Sequence, residues 1–165
     1  MELQPTLQGK LLTLRPLRED DLEGLFSIAS DPSIWELHPA HDRYQRPVFE
    51  EFFRQSIASG SALAVLDTAD GRIIGTSRFA AWPGDPEALE IGWTFLARDH
   101  WGGAYNGELK RLMLCYAFQF VRRVIFLSDS HNYRSQRALS KIGAVPIDSQ
   151  PGSPGHTNLI YEVRQ

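Results

Sequence analysis

The chain has 165 residues, a formal net charge of −3, 42% hydrophobic and 22% charged side chains, and a single cysteine. That length suits one domain around one core, and the acidic balance lacks the basic excess expected of a nucleic-acid-binding protein. One cysteine excludes an internal disulfide, no apolar run reaches the ~18 residues that cross a membrane, and MELQPTLQGK lacks the form of a secretion signal, so a reducing cytoplasm is expected.

Lys10–Leu17 (KLLTLRPL) alternates and predicts a first strand that Pro16 closes. Leu22, Leu25, Phe26 and Ala29 then fall at helical spacing behind acids that favour a helix N-terminus, and Asp31-Pro32 ends that helix. Residues 33–47 read as irregular. A second helix after Pro47 carries the stripe Phe49, Phe52, Phe53 and Ile57. ALAVLD and RIIGTSRFA flank the turn signal Asp70-Gly71 and predict a hairpin. ALEIGWTF follows, with Leu89, Ile91, Trp93 and Phe95 expected on one face and Glu90, Gly92 and Thr94 on the other.

Leu109, Leu112, Met113, Tyr116, Ala117, Phe120 and Val121 predict a long helix, in which Cys115 reads as a small buried hydrophobe. RVIFLS suits a strand buried on both faces. Ser135, Ala138, Leu139 and Ile142 share a stripe on a helix from about Asn132 to Ile142, which Gly143 ends. AVPID and NLIYEV are the last strands, separated by the loop SQPGSPGHT. No internal repeat or linker interrupts the chain, and one mixed α/β domain over residues 1–165 is the reading.

Gly102 and Gly103 stand directly before the long helix. The first N–H groups of a helix have no internal partners and attract negative charge, and glycine removes the side chains that would hold a phosphate away. A plain strand-to-helix turn explains the same two glycines. The spacing matches neither a nucleotide-hydrolysing phosphate loop nor a dinucleotide fingerprint.

The order of elements, with LTLRPLREDDLEGLF, LEIGWTF, WGGAYNGELKRLMLCYAF and NYRSQRALSKIGA, resembles the GNAT superfamily of acyl-CoA-dependent N-acetyltransferases, in the branch that contains the ribosomal-protein N-terminal acetyltransferases. The similarity runs over roughly residues 10–148. It implies a central, mostly antiparallel, twisted sheet of six to seven strands flanked by about four helices. It also implies acetyl-CoA as cosubstrate. In that family a [QR]-x-x-G-x-[GA] loop binds the CoA pyrophosphate through backbone N–H groups. Gly102, Gly103 and Ala104 supply its G-x-A, while Asp99 stands in its first position, with Arg98 one residue off. Trp101, Tyr105 and Asn106 fit the branch's WG-x-x-YN; Asn106 is also a candidate helix cap. The strand holding Trp93 and Thr94 is implied to receive the thioester and pantetheine on its backbone. Asn132 and Ser135 match an N-x-x-S segment that meets the pantetheine arm and the sulfur.

Acetyl transfer requires a deprotonated amine, a polarised thioester and a stabilised thiolate. Glu90 is the candidate base, beside the small Gly92 and Thr94; a solvated strand carboxylate is the alternative. Ser135 is the candidate at the thiolate end; a hydroxyl bonded back to its own helix is the alternative. Arg137, in a stripe with Arg134 and Lys141, could meet the 3′-phosphate or simply face water. His38, His41 and His131 lack a recognised ligand spacing, so no metal is assigned. The segments Trp35–Tyr44 and Gln150–His156 are expected to border the acceptor site.

These features predict an enzyme, monomeric or a homodimer. It would carry an acetyl group from acetyl-CoA to a primary amine, either a protein N-terminal α-amine or a small molecule, by direct transfer in a ternary complex. A non-catalytic acyl-CoA-binding module is the alternative, and neither nucleic acid nor membrane is an expected partner.

Overall fold

Alternating apolar stretches become strands because each can bury one face, and the computed structural model, which describes Met1 to Gln165, joins all of them in one sheet. The strands are β1 (Leu7–Gln8), β2 (Leu12–Pro16), β3 (Ala62–Asp67), β4 (Ile73–Ala81), β5 (Ala88–Leu96), β6 (Arg123–Asp129), β7 (Val145–Pro151) and β8 (Thr157–Arg164). Their order across the sheet is β1-β2-β3-β4-β5-β6-β8-β7. Every neighbouring pair is antiparallel except β5 and β6. The sheet has one strand more than the sequence predicts. The two-residue β1 escapes a periodicity search, and β7 and β8 also take residues from both ends of the loop expected between them.

Four helices cover the sheet: α1 (Leu22–Ala29), α2 (Arg46–Ala58), α3 (Ala104–Ala117) and α4 (Tyr133–Lys141). α3 and α4 close one face over Leu12, Leu14, Val65, Phe79, Ile91, Met113, Phe126 and Leu139. α1 and α2 close the other over Leu25, Trp35, Phe49, Phe52, Phe53 and Phe95. Fully burying each such side chain contributes about 1.5–3 kcal/mol. Glu108 fastens α3 to the sheet by accepting the N–H groups of Lys10, Leu11 and Leu12 at 3.0, 2.7 and 2.9 Å. Gly9 leaves room for it, since a Cβ there would lie 2.5 Å from the Glu108 carboxylate. Cys115 is exposed rather than buried, because α3 turns its Leu109, Met113 and Ala117 side to the core. Phe120 is half exposed, because the helix ends at Ala117.

The face assignment predicted for β5 fails at one point. Gly92 lies opposite Arg78 and Phe95 opposite Thr76, so Trp93 and Thr94 together face only Ser77. This is a β-bulge. Trp93 takes φ +52°, the only non-glycine residue with a positive φ, a strain of about 1–2 kcal/mol. The bulge inverts the alternation. Phe95 joins the α1/α2 core, on the side opposite Ile91. Thr94 turns to the α3 face, where its hydroxyl meets Lys110 of α3.

Candidate active site

β5 and β6 pair only from Ala88, Leu89 and Glu90 to Arg123, Val124 and Ile125. Beyond that crotch the two strands diverge. The β5 edge from Ile91 onward has no strand on that side, so its peptide groups face a cleft and are free to pair with an extended ligand arm.

At the far end of β5, Gly102 adopts φ +70°, and a Cβ on Gly102 or Gly103 would meet nothing within 4 Å. Gly103 is the N-cap of α3 and no side chain caps the helix, so Asn106 is not a cap. The backbone N–H groups of Gly102, Gly103, Ala104, Tyr105 and Asn106 have no acceptor in the protein. Five successive free donors at a helix N-terminus fit a pyrophosphate.

The neighbouring side chains hold this loop rather than fill it. Trp101 Nε1 donates to Leu96 O at 2.9 Å, and Arg134 lies 4.0 Å from its ring on the other side. Arg134 also reaches Ser33 O at 3.3 Å, so it is not part of a purely solvated stripe. The Tyr105 hydroxyl bonds Asp67 at 3.3 Å, and its ring packs edge-on against His100. His100 bonds carboxylates through both ring nitrogens, Asp67 at 2.9 Å and Asp99 at 2.7 Å. Burial opposes its charge, but the two carboxylates outweigh it and raise its pKa. Asp99, in the loop position where the family pattern has Gln or Arg, thus clamps the histidine behind the cradle.

On the α1/α2 face, Glu90 sits at the crotch beside Gly92, whose missing Cβ would lie 3.1 Å from its carboxylate. Burial raises the Glu90 pKa, against the opposing pull of Arg78. Arg78 stacks 3.6 Å from the Trp93 ring, and its Nε is buried without a hydrogen-bond partner. Trp93 is therefore drawn to the Glu90 side of the strand and is 37% exposed there.

The chain from residue 12 to residue 145 matches the family model described as an acetyltransferase (GNAT) domain. This chain belongs to the GNAT acetyltransferases. Solved structures agree on the fold. A GNAT-family acetyltransferase from Bacillus anthracis aligns with TM-score 0.81 at 18% identity, over 97% of this chain and 98% of that one. A provisionally assigned ribosomal-protein-serine acetyltransferase from Vibrio cholerae aligns with TM-score 0.79 at 14% identity over the whole of both chains. The spermidine N-acetyltransferase from Vibrio cholerae, solved with CoA and spermine, aligns with TM-score 0.72 at 16% identity, over 95% of this chain and 97% of that one. The sequence matches none of the curated proteins. No helix is long and apolar enough to cross a membrane.

Across the cleft of this GNAT domain, Asn132 caps α4 by accepting the Ser135 N–H at 3.2 Å. The Ser135 hydroxyl makes no bond back to its own helix and is half buried, so it is free for a ligand. Arg137 and Lys141 are exposed on the following turns.

Sequence reasoning missed Lys110, Arg78 and Asp129, and the pairing of Asp129 with His156. Lys110 is buried between Thr94, 2.8 Å from its ammonium, and the Phe126 ring at 5.3 Å, so it forms the floor of the cleft. Burial pulls its pKa down to about 7. Its spacing to Met113, Ala117 and Val121 was the available signal. Arg78 carried none. Asp129 and His156, far apart in sequence, meet at 2.9 Å. The histidines weighed as ligands regroup accordingly. His41 is exposed and bonds Pro39 O at 3.3 Å, whereas the ligand atoms of Asp129, His131 and His156 lie within 4.8 Å of one another.

Proposed function

We propose that this GNAT domain transfers the acetyl group of acetyl-CoA to a primary amine, by direct attack in a ternary complex. The observation that carries the reading is the cleft itself: free backbone donors at Gly102–Asn106 at one end, and a half-buried carboxyl, Glu90, at the crotch on the opposite face. In this reading the donors from Gly102 to Asn106 hold the pyrophosphate and the open β5 edge takes the pantetheine arm. Glu90 accepts a proton from the amine, directly or through water. A pKa raised by burial suits that task, because the group stays basic enough to take a proton near neutral pH. The Ser135 hydroxyl donates to the departing sulfur, and the Asn132 amide steadies the arm.

Direct transfer is favoured over an acetyl-cysteine intermediate. Cys115 stands about 16 Å along the helix axis from Ala104 at 1.5 Å per residue, on an exposed face. In this reading the acceptor is a protein N-terminal α-amine or a small-molecule amine, and the compartment is the cytoplasm; among the structural relatives, one is named for ribosomal-protein serine and another for spermidine.

The test is thiol release from acetyl-CoA against peptides with varied N-termini and a panel of small amines. Amine-dependent release supports the enzyme. Tight acetyl-CoA binding without release for any amine would leave a non-catalytic acyl-CoA-binding module.

A further inference from the structure

Acetylating an ammonium removes two protons from one nitrogen. The first must leave before attack, because an ammonium has no lone pair. The second leaves as the amide forms. One of the two ends on the departing sulfur, and the other must reach water. Glu90 lies half-buried at the last β5–β6 pair, so a second proton acceptor is called for where the strands have diverged.

The mouth of the cleft holds one. His156 precedes β8 and bonds Asp129 through Nδ1, with 2.9 Å between Nδ1 and Oδ2. The Asp129 side chain is only 1% exposed, and its other oxygen accepts the His131 N–H at 2.8 Å. A carboxylate only accepts, so the His156 Nδ1 carries the hydrogen. In the neutral ring that leaves the Nε2 lone pair free. Nε2 has no partner in the protein, and the side chain is 35% exposed. A lone pair fixed in tautomer by a buried carboxylate and open to solvent is the arrangement of a general base.

Its position follows from the strands. Asp129 alternates with Leu127 and Ile125 onto the α1/α2 face, the face of Glu90. On the β5 side, Phe95 just past the bulge packs 5.1 Å from Trp35, and Trp35 packs 5.7 Å from His38. His38 senses the charges of Asp129 and His156. The loop between α1 and α2 thus bridges the diverging strands above the pair. We propose that His156, oriented by Asp129, takes the first proton from the incoming ammonium and hands it to water. The N–H bond breaks, its electron pair stays on nitrogen as the nucleophile, and the proton moves to Nε2. This assignment rests on the acetyl-transfer reading above. The charged and titratable groups around His156 are Asp129 on β6, His131 on the turn after it, and His38 with Arg43 behind it on the α1–α2 loop. Burial holds His38 down to about 4, so it adds no charge beside His156 near neutral pH.

The test measures acetyl-CoA turnover from pH 6 to 10 with spermidine and with a serine-led tripeptide as probes. His156→Gln is expected to lower kcat about 10²-fold at pH 7, with acetyl-CoA affinity by calorimetry unchanged. The deficit should shrink by roughly tenfold per pH unit toward the amine's own pKa, because the amine then arrives already neutral. The Glu90→Gln deficit should persist there. Histidine ¹⁵N spectra should place the neutral His156 proton on Nδ1 in the wild type, a readout that needs no Asp129 variant to fold. A His156→Gln deficit that is absent or constant with pH would overturn the assignment alone, as would activity lost to a chelator and restored by zinc at Asp129, His131 and His156. A wild type that releases no thiol with either probe overturns the acetyl-transfer reading and this assignment with it.

Discussion

The two ends of the cleft are made of different material. The cradle from Trp101 to Asn106 is one continuous segment and presents backbone N–H groups. The acceptor end gathers side chains from separate elements: Arg78 from β4, Glu90 from β5, Asp129 from β6, His38 from the α1–α2 loop and His156 from the turn before β8. A backbone cradle tolerates side-chain change, as the Asp99 clamp on His100 illustrates. A convergent side-chain site does not. In the proposed reading, the fold therefore separates a backbone half that would hold the cosubstrate from a side-chain half that would select the acceptor.

If that division is real, damage to the acceptor end should appear in turnover and damage to the cradle in binding. The largest effect is expected from Glu90→Gln, which should lower kcat by ~10²- to 10⁴-fold and leave acetyl-CoA affinity nearly unchanged. The active form of Glu90 is deprotonated, so wild-type activity should fall as pH drops through its raised pKa. The variant should lose that acidic limb, and steady-state rates across pH check both points. Next comes Gly103→Val. Its φ of −115° suits a side chain and the space beyond is open, so melting should hold while acetyl-CoA affinity falls about 10- to 100-fold, the worth of one or two hydrogen bonds to a charged group. Gly102→Val, at φ +70°, should lose stability as well. Equal melting losses in the two variants would break the contrast.

Ser135→Ala touches the boundary between the halves. A fall in kcat of about tenfold is expected, with stability held or slightly improved by better helix propensity. A thioester with a more acidic thiol should need less help and narrow the gap. If the gap stays constant across thioesters, Ser135 only positions the arm.

The smallest effect on chemistry is expected from Lys110→Met, whose readout is stability. The folded pKa of Lys110, about 7, lies below its ordinary 10.5. Between those values the unfolded chain binds the extra proton, so this group makes the wild type more stable as pH rises from about 7 to 10.5, by at most about 1.4 kcal/mol per pH unit. Below about 7 its penalty is fully present. Thermal melts should favour Lys110→Met most at neutral and lower pH, with the advantage fading toward pH 10. A pH-independent difference would mean that the lysine is not desolvated.

The sequence exposed what is periodic and local. The long helix was legible from Leu109, Met113 and Ala117, and the cradle from Gly102 and Gly103, because both depend on neighbours along the chain. The bulge was not. EIGWTF alternates cleanly, and a tryptophan gives no sign of φ +52°, so Trp93, Thr94 and Phe95 were expected on the wrong faces. Cys115 was misplaced because it was read from residue type alone, although it lies off the stripe of Leu109, Met113 and Ala117 that faces the core. Asp129 and His156 meet only through the pairing of β6 with β8, a contact that no local pattern encodes. His156 had been placed beside the acceptor by family likeness, but its carboxylate partner had not.

The short parallel joint between β5 and β6 also bears on how the molecule assembles. β3, β4 and β5 are antiparallel neighbours joined by short turns, whereas the joined stretches of β5 and β6 are about 35 residues apart. Closing that loop costs entropy before the three-residue register returns anything. The joint should therefore form late and open early. A ligand lying across it would then act as a splint, and amide exchange at Val124 and Ile125 should slow on acetyl-CoA binding more than exchange in β3, which no ligand spans.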